Sequence, residues 1–152
     1  MSVVFKCCQR LLTIAGLALV ASCDPGGERA AYRVQLVRGS NAADPPEPDR
    51  PAVGPRLNAS LTPVFSWKHY WEIARRDVSL RQGRKTRLRL SPLREVEIDL
   101  SLPGRRTVSA FADGRIISRL TQPVDQRIAV IGGDRDAASA WFIVVRPDDS
   151  TR

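Results

Sequence analysis

Residues 95–102 read EVEIDLSL, and their alternation decides the fold class. Val96, Ile98, Leu100 and Leu102 fall on one side, and Glu95, Glu97, Asp99 and Ser101 on the other. Successive side chains of an extended chain point to opposite faces, so this is the period of a half-buried strand. Just upstream, residues 87–90, RLRL, repeat the alternation with the arginines outside. Downstream, residues 107–120, TVSAFADGRIISRL, set Asp113-Gly114 between two β-rich arms, the pair that supplies the positive φ a tight hairpin needs. Residues 127–131 and 140–145 (AWFIVV) are continuous apolar runs, as in strands covered on both faces, with residues 132–136 (GGDRD) a loop between them. Residues 32–38, YRVQLVR, make a first strand.

Two stretches interrupt this pattern. Residues 39–55 carry five prolines, at 45, 46, 48, 51 and 55, which bars a helix interior or a central strand and predicts an exposed, mobile loop. Residues 65–73, FSWKHYWEI, fit two periods. Phe65, Trp67, His69, Trp71 and Ile73 align as a strand, whereas Val64, Trp67, Lys68 and Trp71 align as a helical stripe; the aromatic and β-branched content favours strand. There is no internal repeat and no sustained amphipathic helix. The expectation is an all-β domain, an antiparallel β-sandwich or small barrel of about seven to nine short strands. Its buried centre should include Ile98, Leu100, Val130, Phe142 and Val144.

The 152 residues leave room for one such domain. A formal net charge of +8, carried almost wholly by arginine, points to anionic partners such as lipid head groups or envelope polymers. The densest basic run is Arg75, Arg76, Arg81, Arg84, Lys85, Arg87 and Arg89, opposed only by Asp77. These are candidate anion-binding residues. The plainer reading is a solvated strand face, since positive charge also keeps edge strands from aggregating. Single-stranded nucleic acid would need aromatics interleaved with the basic residues, and the tryptophans stand apart, so no nucleic acid is expected.

Catalytic equipment is sparse. His69 is the only histidine and sits among Trp67, Tyr70 and Trp71, which suits a structural, hydrogen-bonded role. No catalytic residue is assigned, and one histidine cannot build a His/Cys metal site. Asp134 and Asp136, in GGDRDAAS, are weak calcium candidates, but Asp and Gly are also what a turn demands. Asn58-Ala59-Ser60 is a glycosylation sequon in form only. With no glycine-rich phosphate loop either, the chain is expected to be no enzyme and to hold no cofactor.

The first residues carry an address. Residues 1–10 contain Lys6 and Arg10 and no acid, and residues 11–22, LLTIAGLALVAS, run uncharged and apolar or small. This is a positive n-region before an h-region of signal-peptide length; a spanning helix would need about 20 apolar residues. Leu19-Val20-Ala21-Ser22-Cys23 resembles the lipobox of bacterial lipoproteins. The resemblance implies that Cys23 receives a diacylglyceryl thioether and becomes the N-terminus after cleavage. Ordinary cleavage stays open, because Val20 and Ser22 also suit a general signal peptidase, and it would leave Cys23 a free thiol. Cys7 and Cys8 leave with the leader, so Cys23 is the only cysteine of the mature chain. Asp24 resembles the residue that retains lipoproteins at the inner membrane in some Gram-negative bacteria.

The expected organisation is then a signal peptide at 1–22, a lipid-anchored tether at 23–31, one β-domain at 32–147 interrupted by the loop 39–55, and a tail at 148–152. The expected function is a membrane-anchored, non-enzymatic envelope lipoprotein, an accessory or assembly subunit for another envelope protein. The architecture is similar to that of small lipoproteins that dock on secretion and pilus machines. The alternative is a module that binds anionic wall polymer or lipid head groups through the arginine-rich patch.

Overall fold

The computed structural model describes residues 29–135 and 138–148. Cys23, Asp24, the leader with Cys7 and Cys8, Asp136 and residues 149–152 lie outside them. The order of elements is β1 Arg29–Ser40, α1 Pro55–Leu61, β2 His69–Arg81, β3 Lys85–Ser91, β4 Arg94–Asp99, β5 Arg105–Ala112, β6 Arg115–Pro123, β7 Ala129–Arg135 and β8 Ser139–Pro147. The strands form two four-stranded sheets, β2-β1-β8-β7 and β3-β4-β5-β6, antiparallel throughout. Apart from the closing β8–β1 pair, every pairing joins strands adjacent in sequence. The path is therefore that of an up-and-down barrel, opened between β2 and β3 and between β6 and β7 into a sandwich.

The alternation that named the fold also fills it. Val96 and Ile98 of the second sheet, with Leu100 just past the end of β4, meet Val34, Leu36, Ile143 and Val145 of the first across the main core. The other face of the first sheet is covered too. Val37, Phe142 and Val144 pack there with Val53, Leu57, Leu61 and Tyr70. The run at 141–145 thus alternates between two cores, which is why it shows no polar residue. Ile98 and Leu100 lie in one core and Phe142, Val144 and the partly buried Val130 in the other, so the single centre expected from the sequence is two.

The second core corrects the reading of the proline-rich loop. Gly39 and Ser40 belong to β1 and are buried, and β1 begins at Arg29 rather than Tyr32, taking in the last residues assigned to the tether. Residues 51–53 run along the edge of β2. The Val53 amide donates to the Tyr70 carbonyl (3.0 Å) and the Glu72 amide to the Pro51 carbonyl (2.8 Å). Prolines are tolerated at a sheet edge, where an absent N–H interrupts no ladder. Pro55 then opens α1, a helix not read from the sequence, with Leu57 and Leu61 four residues apart on its buried side.

Other boundaries move for physical reasons. Residues 65–68 precede the strand, which starts at His69, and the period-two face is interrupted at Ile73, where the pairing with β1 slips by one residue. Leu102, placed inward by the alternation, is 55% exposed, because β4 ends at Asp99 and the chain turns out of the sheet. β7 continues through Gly132 to Arg135, past the expected start of the loop, with an irregularity in its pairing to β8. Asp134 therefore lies in a strand. The Asp113-Gly114 turn forms as read, both residues at positive φ (48° and 75°) as a type I′ hairpin requires.

Candidate anion-facing end

Strand direction gives the sandwich two ends. β1 starts at one, here the proximal end, with the turn at 82–84, the loops at 100–104 and 124–128, and the close of β8 at Pro147. These loops are tied together by backbone. The Gly83 amide donates to the Leu100 carbonyl (2.9 Å), the Leu100 amide to Arg84 (2.8 Å), and the Val124 amide to Gly104 (3.1 Å). Gly83 and Gly104 turn at positive φ, 80° and 68°. The rim so built carries Arg29, Arg84, Lys85, Arg105 and Arg127 exposed and Arg81 half-buried. Leu102 and Val124 (38% exposed) stand among them as apolar tips. Of the nearby acids, Asp99 and Asp148 are engaged, while Asp125 is exposed in the loop at 124–128. Asp99 accepts the Ser101 amide (2.7 Å), and the Ser101 hydrogen bonds hold its carboxyl below the usual range. Asp148 pairs with Arg33 at 3.0 Å.

The basic run read from the sequence does not form one surface. β2 and β3 belong to different sheets, so the run splits where the chain crosses between them. Arg75 pairs with Glu72 (2.9 Å), and Arg76 donates to the Arg75 carbonyl (2.7 Å). Arg87 and Arg89 both reach Glu95, at 2.5 and 3.1 Å, and together they hold its carboxyl below the usual range. Arg87 also lies 3.6 Å over the centroid of Phe111, which faces outward yet is only 6% exposed. Arg81, Arg84 and Lys85 alone belong to the proximal rim. Their companions Arg29, Arg105 and Arg127 went unread because they lie far apart in the chain and meet only once the strands are paired.

Two concavities adjoin this end. One of about 890 Å³ opens between the sheets and is lined by Ala30, Tyr32, Leu100, Val124 and Pro147, with Arg29 and Asp148. Against Tyr32 lies Arg106, fully buried, its guanidinium 5.2 Å from the ring centroid. Its Nη2 donates to the Gln126 carbonyl (2.9 Å), while Nε and Nη1 have no partner among the described residues. The second, of about 460 Å³, runs between α1 and the outer face of the first sheet and is lined by Arg56, Arg127 and Arg146.

Comparison with family models, curated proteins and solved structures finds no significant match to this chain.

The remaining candidates fall at the distal end or outside the described residues. His69 stacks on Trp71, ring centroids 6.2 Å apart, at the mouth of a shallow groove with Lys68 and Asn58. Asn58 itself is exposed on α1. Asp134 lies in β7 and Asp136 outside the described residues, among which no cluster of three or more potential metal ligands occurs. No helix among the described residues is long and apolar enough to cross a membrane.

Proposed function

We propose that the protein is a membrane-anchored envelope lipoprotein, a non-enzymatic accessory or assembly subunit held to the bilayer through Cys23. One observation carries the reading. β1 begins at Arg29, six positions after Cys23, at the same end of the sandwich as the basic rim. Six residues span at most about 20 Å when fully extended, so a lipid on Cys23 keeps this end close to the bilayer surface. There the arginines meet anionic head groups, each basic side chain near such a surface contributing about 1 kcal/mol. The two acyl chains of a diacylglyceryl group suffice for stable anchoring, and the basic patch adds to them by turning this end toward the bilayer. Asp24 favours the periplasmic face of the inner membrane.

Mass spectrometry of the mature N-terminus tests the anchor. An acylated cysteine at position 23 is expected, and an unmodified thiol there would sink the reading. The accessory role is tested by crosslinking the membrane-bound form, with a defined envelope protein as the expected product. The wall-polymer alternative uses the same rim. It differs in predicting polymer binding by the unlipidated chain that falls steeply with ionic strength.

A further inference from the structure

We propose that the cavity between the sheets at the proximal end binds an amphiphilic carboxylate, with its head group on Arg106. Arg106 alternates along β5 with Val108 and Ala110, so it points into the main core, where it is fully buried. A guanidinium has five N–H donors. Nη2 donates to the Gln126 carbonyl (2.9 Å), but the donors on Nε and Nη1 have no acceptor among the described residues. The Tyr32 ring, its centroid 5.2 Å away, offers only a π face. A charge taken out of water without a counter-ion is among the costliest groups a core can hold. Arg106 therefore marks a place for an anion.

The cavity of about 890 Å³ borders this charge on two sides. Tyr32, over whose ring the guanidinium lies, is part of its wall. So is Val124, two residues past Gln122, the cross-strand neighbour of Arg106. A head group that parts Tyr32 and Val124 meets the unpartnered N–H groups. The rest of the lining suits a hydrocarbon body. Ala30, Leu100 and Pro147 are apolar, and the exposed Arg29, Ser79 and Gln82 stand at the mouth. Asp148, also in the lining, is held by Arg33. One buried cation is neutralised by one negative charge, and a dianionic phosphate monoester would leave a charge over in the core. A phosphodiester carries a substituent on either side of its charge, whereas a carboxylate enters at the tip of its chain. The volume is in the range of small-molecule sites. In the lipoprotein reading the mouth faces the bilayer, a store of such amphiphiles. The site itself rests on Arg106 and the cavity, not on that reading.

Calorimetric titration of the full chain in neutral detergent, with octanoate as probe and protein-free micelles as the blank, tests the site. Octanoate is expected to bind, and octan-1-ol to bind about tenfold more weakly or less, the effect of losing one charge-assisted hydrogen bond. Arg106→Met should bring octanoate down to the level of the alcohol. Because it removes an unpaired buried charge, its melting temperature should equal or exceed that of the wild type. Arg115→Gln, on the Asp113-Gly114 hairpin at the distal end, removes the same charge and should leave binding unchanged. If Arg106→Met melts lower than the wild type, Ala30→Trp decides in its place: it fills the cavity from its wall and should abolish binding of acid and alcohol alike. In the wild type, about 1 M salt should leave the affinity for octanoate nearly unchanged, since a buried pair is little screened. No binding, equal affinity for acid and alcohol, or binding retained in the deciding variant would overturn the site. A steep fall with salt would also overturn it, and would move the carboxylate to the exposed arginines of the rim. An unmodified thiol at Cys23 would remove the anchor without altering the titration.

Discussion

Gly39 has no room for a side chain. A Cβ there would lie 2.6 Å from Trp67 Cδ1, 2.8 Å from Trp67 Cγ and 3.0 Å from Phe142 Cε2, so the indole lies directly on the β1 backbone. Gly39→Ala should therefore cost about 1–3 kcal/mol in urea unfolding, as overpacking of a filled core does. Gly54, with nothing within 4 Å of its Cβ position, should tolerate alanine with little change. Arg87 is a second place where contacts exceed the sequence pattern. Alternation makes it a solvent-facing arginine whose exchange costs little, yet it covers Phe111 and pairs with Glu95. Arg87→Ala is expected to cost about 0.5–1 kcal/mol, still well short of the roughly 2–5 kcal/mol for Ile98→Ala in the main core. Glu95 gives the pH dependence its sign. Arg87 and Arg89 lower its folded pKa below the unfolded value, so its stabilisation is full above the ordinary carboxylate pKa and is lost as pH falls through the folded one. Glu95→Gln should thus flatten the fall of stability between about pH 5 and 3 relative to wild type. Parallel acid limbs for the two proteins would mean that these pairs contribute nothing.

At the scale of elements, the stretch at 41–54 has two halves. Residues 41–49 are exposed or nearly so, while residues 51–53 are hydrogen-bonded to the β2 edge. Limited proteolysis should cut within 41–49 and spare 51–53, because a protease must draw an extended segment away from its partners. Cleavage first at 51–53 would show that the edge contact does not persist in solution. The same half-and-half outcome shows what was legible in the sequence. β4, the β5–β6 hairpin and β8 could be read because each carries a local signal: strict alternation, an Asp-Gly turn, or an unbroken apolar run. α1 could not, because Pro55 and the Leu57/Leu61 spacing amount to two turns inside a proline-rich segment, and so short a helix stands only on what it packs against. The outer ends of β1 and β7 were hidden for the same reason. Gly39 and Gly132 look like loop residues until the neighbouring strand is known to supply their pairing.

At the scale of the whole molecule, charge is sorted by topology rather than by sequence. Local density singled out residues 75–89, but only Arg81, Arg84 and Lys85 of that run share a surface with Arg29, Arg105 and Arg127. Their placement follows from where antiparallel strands turn, which no window along the chain can display. The sorting gives the molecule a polarity that can be measured. The proximal end has basic loops with Leu102 and Val124 at its tips; the distal end has Leu93, Ile116 and Ile117 exposed around the turns that join β3 to β4 and β5 to β6. Both ends thus offer apolar side chains, and only the basic one should be drawn to an anionic bilayer. Leu102→Cys and Ile116→Cys, each labelled with a polarity-sensitive fluorophore, separate the two cases, since an acylated Cys23 leaves the introduced thiol as the single target. On vesicles containing phosphatidylglycerol, the Leu102 probe should shift to the blue while the Ile116 probe keeps its aqueous spectrum. On neutral vesicles the anchor still holds the protein, but the Leu102 shift should shrink, and about 1 M salt should diminish it on anionic ones, where screening cuts the Debye length to about 3 Å. Apolar contact alone would leave the Leu102 shift the same on both lipids. A shift of the Ile116 probe instead would place the distal end on the membrane, and the basic rim would then have to face away from it.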